Sequence, residues 1–229
     1  MRAAHCPRPA FVDDARGVSA VEFAFVVPVL LLFMVAAFDC GRLIYASERA
    51  EAVANEVAEM LAQTPKSNAA AISGDGLVGS ADILAFYNSA PFIFPEVLRQ
   101  AQQQSVNWRQ VLKLDMASVS FTATPAGCLP AACTYKPKIV WNYGDGAYLR
   151  ACQSTLTAVP NNSASNPATL PIDAFGPNSL LVVDVHYSWT PTFGADYFGA
   201  VTFSRSIYLN PRYVTNVEAS SGNGVNLCT

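Results

Sequence analysis

The chain has 229 residues, of which 52% are hydrophobic and only 14% are charged, and its formal net charge is −3. This length suits one domain of ordinary size, with or without a membrane anchor. Soluble domains carry about 25% charged residues, so the scarcity of charge indicates at least one segment that avoids water. The charge balance shows no sign of a basic face, which excludes nucleic acid as an expected partner because phosphate binding needs clustered Lys and Arg.

A long apolar run begins shortly after the N-terminus. Met1 to Arg16 form a polar segment, Gly17 follows, and no residue from Phe23 to Phe38 is charged. With Val18 to Val21 the run approaches the roughly 20 residues that a helix needs to cross a bilayer. A buried core helix would keep a polar face, and a secretory signal would have a shorter apolar region followed by a small-residue cleavage site. We therefore predict a retained transmembrane helix.

The charges around this run indicate its orientation. Arg2, Arg8 and Arg16 precede it, and positive residues favour the cytoplasmic side. The later part of the chain would then lie outside the inner membrane. Glu22 interrupts the run, and a carboxylate in a bilayer costs at least about 2.5 kcal/mol. We therefore expect Glu22 to have either a partner or access to headgroup water.

The start of the chain resembles two nested groups of proteins. Gly17, followed five positions later by Glu22 and an apolar helix, resembles the signal of type IV prepilins. Over about Arg16 to Ala62 the chain is more narrowly similar to the TadE-like family, the minor pilins or pseudopilins of the tight-adherence (Flp) pilus machinery. The shared pattern is carried by Arg16-Gly17, Val21-Glu22-Phe23, Pro28 within the apolar run, Asp39, Gly41-Arg42 and Tyr45.

The resemblance implies a processing site and an assembly site. A prepilin peptidase cuts related proteins on the cytoplasmic side after the glycine, here between Gly17 and Val18, and the apolar helix is kept. The new amine of Val18 would then be available to the Glu22 carboxylate of a neighbouring subunit, with Phe23 beside it. The implied partners are the inner membrane, the peptidase, other pilin-like subunits and the pilus assembly machinery.

A second helical segment follows the apolar run. Ala46, Ala50, Val53, Val57 and Leu61 recur at steps of three and four residues, and acidic side chains occupy other positions. This period predicts an amphipathic helix over 45–63 that turns one face to a core. Thr64-Pro65 is expected to end it.

The remaining sequence predicts short helices and then strands. We expect a loop over 66–79, helices over 80–88 and 96–108 with Ser80 as a possible N-cap, and a long loop over 156–177. Strands are expected over 117–123, 139–143, 180–189 and 200–209, the last two pairing as an antiparallel hairpin. The predicted fold class is α+β: a long N-terminal transmembrane helix continues into a small pilin-like domain with short helices and an antiparallel sheet.

Four of the six cysteines, Cys128, Cys133, Cys152 and Cys228, lie in the later part of the chain. An even number in an exported domain favours disulfides over a zinc site, since the spacings are not paired CxxC motifs. Four cysteines allow three pairings, and we expect Cys228 to pair with a cysteine of the 128–152 group.

Enzyme motifs are missing from the sequence. It contains no GxSxG, HExxH or P-loop pattern, so we expect no catalytic residues, metal or cofactor. Asp184 and His186 share one face of a predicted strand, and we interpret His186 as a partly buried strand residue rather than a general base.

Together these features predict a leader at 1–17, a transmembrane helix at 18–44 and an extracytoplasmic, periplasmic domain at 45–229. The expected function is that of a minor pilin-like subunit taking part in pilus assembly, either from the membrane or as part of the fibre. The alternative is a stand-alone, membrane-anchored binding module that never enters a filament.

Overall fold

The computed structural model describes residues 15–66, 75–129, 132–145, 148–164, 166–195 and 199–228, with the backbone alone at 15–19. Most of the predicted leader, including Cys6, lies outside the described residues. The helices are α1 Ala15–Ala62, α2 Ser80–Ile93, α3 Glu96–Gln104 and α4 Trp108–Val111, with a 3-10 helix at Ile172–Ala174. The strands are β1 Gly76–Val78, β2 Leu112–Thr124, β3 Thr134–Gly144, β4 Thr157–Val159, β5 Thr169–Pro171, β6 Leu180–Trp189, β7 Val201–Leu209, β8 Val217–Ala219 and β9 Asn226–Leu227.

The domain is organised around a five-stranded sheet with the order β7-β6-β2-β3-β9. Every neighbouring pair in it is antiparallel. β6 and β7 form the predicted hairpin, with Leu181 opposite Leu209 and Trp189 opposite Val201. The α+β fold class is therefore confirmed: a long apolar N-terminal helix leads into short helices and an antiparallel sheet.

The second half of α1 packs on one face of this sheet. All five residues of the predicted stripe (Ala46, Ala50, Val53, Val57 and Leu61) are at most 2% exposed. They belong to one core cluster with apolar side chains that alternate along β2 and β6. Because these strands bury alternate residues on opposite faces, the face toward α1 is apolar along its length.

The other face of the sheet is covered by the segment that carries β4 and β5. At one end a smaller apolar cluster gathers around Val119, Ile139 and Leu170. The rest of this face carries polar side chains, among them Asp115 and Asp184 at cross-strand positions. The two faces therefore differ in chemistry, and the buried carboxylates of Asp115 and Asp184 lie on the face opposite α1.

Several local predictions were wrong because long-range pairing decided the outcome. The predicted loop over 66–79 contains β1, which pairs in parallel with β8. The predicted loop over 156–177 contains β4 and β5, also paired in parallel. Strands of three residues carry little local pattern, so their partners determine them.

The predicted helix boundaries also needed correction. Ser80 is not the N-cap of α2: Gly79 occupies that position, and the Ser80 amide donates to the side chain of Ser220 at 2.8 Å. The helix predicted over 96–108 is divided into α3 and α4. Ser105 ends α3 in a left-handed conformation with φ 54°, a common way to terminate a helix.

Candidate functional site: the apolar helix and its junction with the domain

The first half of α1 lacks the burial seen in the second half. No residue from 20 to 38 is buried, and an apolar window in this helix is long enough to cross a membrane. With a rise of about 1.5 Å per residue, this stretch spans about 28 Å, close to the thickness of a hydrocarbon core. The geometry fits a single-pass membrane anchor.

The residues predicted for processing and assembly lie at the start of this exposed half. Gly17 and Val18 fall within the helical backbone of α1. Glu22 and Phe23 project from the helix, and the Phe23 side chain is 69% exposed. Within the described part of the chain, Glu22 has no ion-pair partner. These four residues lie on successive turns of one helix, and the described residues supply no ion-pair partner for the carboxylate.

The boundary between the two halves of α1 is held by a group of polar contacts, which we name the junction: Asp39, Arg42, Glu96, Thr192 and Phe193. The Asp39 carboxylate accepts the backbone N–H groups of Thr192 at 3.2 Å and Phe193 at 3.1 Å. Arg42 donates to the Thr192 hydroxyl and, at 2.7 Å, to the Glu96 carboxylate. The junction therefore fixes the β6–β7 loop and α3 to the helix where its apolar exposure ends.

Two cavities adjoin the junction. One, of about 260 Å³, lies between α1 and the β6–β7 hairpin, and the residues lining it include Leu43, Trp189, Pro191, Phe193 and Val201. The other, of about 550 Å³, lies between α1 and α3 and carries polar side chains. The base of the domain is therefore apolar on the hairpin side and polar on the α3 side.

On the face of the sheet opposite α1, Asp184 and His186 lie side by side as predicted. Both are buried, and Arg150 binds the Asp184 carboxylate through two nitrogens at 2.8 and 3.2 Å. The His186 ring stacks on Tyr148 with centroids 3.5 Å apart, and its Nδ1 lies 2.7 Å from the Ser204 hydroxyl. Burial lowers the pKa of His186 below its usual value, which favours the neutral ring.

Asp115 is a second buried acid on this face. It is 2% exposed and lies opposite Asp184 across the β2–β6 pair. One carboxyl oxygen accepts the Asp145 amide at 3.0 Å, while Oδ2 has no partner in the described structure. Burial, with the nearby charges of Asp184 and Asp145, raises the pKa of Asp115 to about 7. The group can therefore hold a proton near neutral pH.

Sequence reasoning found part of this arrangement. Strand alternation placed Asp184 beside His186, but the partners Arg150 and Asp115 were missed, because Arg150 comes from an irregular segment and Asp115 from another strand. Asp39 and Arg42 were noticed only as part of a family pattern, with no contact assigned. Among the described residues, no group of three or more His, Cys, Asp or Glu side chains could hold a metal ion.

The four later cysteines form two pairs. Cys128 is joined to Cys133 and Cys152 to Cys228, with Cα atoms 5.5 and 5.1 Å apart. Cys40 is exposed and unpaired in the described structure. The second pair ties the C-terminal end to the segment that follows β3, within the domain.

Comparison with known proteins identifies the first part of this site. Residues 17–59 match the family model described as TadE-like protein, while no curated protein and no solved structure matches the chain. The match begins at the predicted cleavage glycine, includes Asp39 and Arg42 of the junction, and ends inside the buried half of α1. The apolar helix of this chain, with Asp39 and Arg42 on it, is therefore similar to the TadE-like family, and the domain side of the junction lies outside the match.

Proposed function

We propose that the chain is a minor pilin-like, TadE-like subunit that is anchored in the inner membrane and takes part in assembly of a tight-adherence (Flp) pilus. The observation that supports this proposal is that the family match and the exposed apolar helix fall on the same residues. The family match over 17–59 covers the helix whose first half is apolar and exposed. The domain that follows would lie in the periplasm, where its cysteine pairs suit an oxidising compartment.

The start of the helix would supply the assembly contact. Cleavage between Gly17 and Val18 would leave an amine one helical turn before Glu22. In a low-dielectric environment, opposite charges attract strongly, so a neighbouring subunit's amine offsets the desolvation of the Glu22 carboxylate. The exposed ring of Phe23 would add apolar contact to the same neighbour.

The first experiment is to determine the mature N-terminus by mass spectrometry of the protein from its native membrane. We expect a chain that begins at Val18, and we expect this form to disappear when the prepilin peptidase is deleted. A chain that keeps Met1 in both strains would contradict the processing step.

The second experiment separates assembly from anchoring. Glu22→Ala should insert in the membrane as well as the natural chain does, since it removes a costly charge, but should lose incorporation with other pilin-like subunits. Glu48→Ala is the matched control, because Glu48 is exposed on the same helix beyond the apolar half and should leave assembly intact. Normal assembly of the Glu22→Ala variant would refute the role of this carboxylate.

A second candidate is a stand-alone, membrane-anchored binding module that never enters a filament. The observation that favours it is the extent of the match, which stops at residue 59 and leaves most of the domain outside it. Under this alternative, Glu22→Ala and the natural chain would behave alike in every assembly measurement.

A further inference from the structure

The described parts of the β6–β7 loop, residues 190–195 and 199–200, include the segment that contacts α1 at Asp39, where the helix leaves the domain. Its Phe193 ring meets the Phe38 ring edge-on, with centroids 6.3 Å apart. Both rings are about half exposed, at 48% and 55%, and Val201 nearby is 40% exposed. Apolar side chains of the loop and helix thus face outward together.

The position of the loop along α1 is fixed by the junction. Asp39 binds the backbone amides of Thr192 and Phe193, and Asp39 is the first charged residue after the apolar run. A run of this length fills a hydrocarbon core of about 30 Å when its last residue, Phe38, lies at the outer boundary. The loop must then lie at the same height as that boundary.

The chemistry of the loop suits a lipid surface. The residues lining the 260 Å³ cavity between α1 and the hairpin include Leu43, Trp189, Pro191 and Val201. Phe and Val side chains favour the bilayer over water, so the exposed side chains of Phe193 and Val201 suit the acyl chains just below the head groups. Polar groups lie beside these apolar side chains, because the junction contains the ion pair of Arg42 and Glu96, which are 2.7 Å apart.

We propose that the β6–β7 loop and the first residue of β7 form a second membrane contact, in which Phe193 and Val201 enter the surface of the phospholipid bilayer beside α1. The proposal rests on the membrane anchoring proposed above. We assign the bilayer as the binding partner because the apolar surface of the loop is continuous with the exposed apolar face of α1 through Phe38. The lipid that covers α1 would therefore also reach the loop. Two contacts, one along the helix and one beside it, fix the height and tilt of the domain on the membrane.

The test places a nitroxide label at three positions of the full-length chain, in a background where Cys6 and Cys40 are replaced by serine. Phe193→Cys reports on the loop, Val29→Cys on the apolar half of α1, and Phe92→Cys on a domain side chain that is 87% exposed. The protein is placed in nanodiscs of phosphatidylethanolamine and phosphatidylglycerol, with one copy in each. Power-saturation EPR then compares collisions with oxygen, which concentrates in lipid, and with a water-soluble nickel chelate.

We expect the ratio of oxygen to nickel accessibility at positions 193 and 29 to exceed that at position 92 several-fold. If position 193 behaves like position 92 while position 29 remains in lipid, the loop inference fails and the anchor stands. If position 29 also behaves like position 92, the anchoring proposal fails and the loop inference falls with it. Lipid-like accessibility at 193 only in discs with several copies would assign the loop to a neighbouring subunit and overturn the bilayer contact.

Discussion

The two halves of α1 are equally helical but lie in opposite surroundings. Residues 20–38 are uncharged apart from Glu22, and none of them is buried. In the second half, one stripe including Ala50, Val57 and Leu61 is completely buried, whereas Glu48 and Glu51 face solvent. The first half is apolar on every side and the second on one side only.

This contrast shows that the distribution of polar residues, rather than the amount of apolar surface, decides what a helix packs against. A helix that is apolar all round has no face for water, and lipid or other helices must cover it. A helix with one apolar stripe is satisfied by a single sheet face. The change occurs at the junction, where Asp39 and Arg42 introduce the first charges after the run.

The same substitution in the two halves should have very different effects. Leu61→Ala opens a cavity in the core and should lower the free energy of unfolding of the domain by about 2–5 kcal/mol. Leu30→Ala, at a side chain 60% exposed, should leave domain stability unchanged. Urea unfolding of the full chain in detergent, followed by tryptophan fluorescence, measures both. Equal losses would show that the first half also packs on the domain.

The domain can also be weakened without altering α1. Replacing Cys152 and Cys228 by serine removes a link across 76 residues, and a loss of about 2–4 kcal/mol is typical of such links. The Cys128–Cys133 pair spans only 5 residues, and its removal should cost less because a shorter loop restricts the unfolded chain less. Urea midpoints of the two double variants give the comparison, and a larger loss for the short loop would contradict it.

The free energy of unfolding of the domain should depend on pH through Asp115. Its folded pKa of about 7 lies above the unfolded value of about 3.9, so between these values the folded state binds more protons. Stability should therefore fall as pH rises from about 4 to about 7, by at most about 1.4 kcal/mol per unit from this group.

Asp115→Asn should remove this component of the slope, because the amide oxygen can still accept the Asp145 amide and no charge is formed. Unfolding free energies of the two proteins at a series of pH values give the slope. The control is Glu48→Gln, at an exposed position of α1; this variant should retain the slope of the natural protein. An unchanged slope in Asp115→Asn would assign the effect to another group.

The smallest loss of stability is expected for a substitution in the junction. Arg42 and Glu96 are 34% and 19% exposed, so Arg42→Ala should cost only about 0.2–1 kcal/mol, as for other ion pairs near the surface. Its clearer consequence should be faster hydrogen exchange at the amides of Thr192 and Phe193. Arg49→Ala, one turn or more beyond the junction, should not change the exchange rates of those two amides. Similar acceleration in both variants would show that the junction does not hold the loop.

The elements that the sequence predicted correctly are those with a local signal. The stripe of α1 follows a helical period, and the hairpin of β6 and β7 follows from two strand-like segments close together in the chain. Both signals are contained in neighbouring residues, so no knowledge of the rest of the fold was needed.

The missed features depend on residues far apart in the chain. β1 exists because β8 pairs with it, and Ser220 caps α2 across a separation of 140 residues. Arg150 has an ordinary sequence context but is only 1% exposed because Asp184 binds it. At the candidate site the local family pattern identified Asp39 and Arg42, but their contact with the β6–β7 loop required the fold.

The continuity of α1 has a mechanical consequence. The helix runs unbroken for 48 residues, so its upper part, 39–62, extends about 35 Å beyond the junction. Transmembrane helices tilt by about 20° on average, and such a tilt displaces the far end of a 35 Å arm by about 12 Å. In a membrane-anchored chain, any change in the tilt of the apolar half that the β6–β7 loop contact allows would therefore appear as a larger sideways movement at the top of the domain.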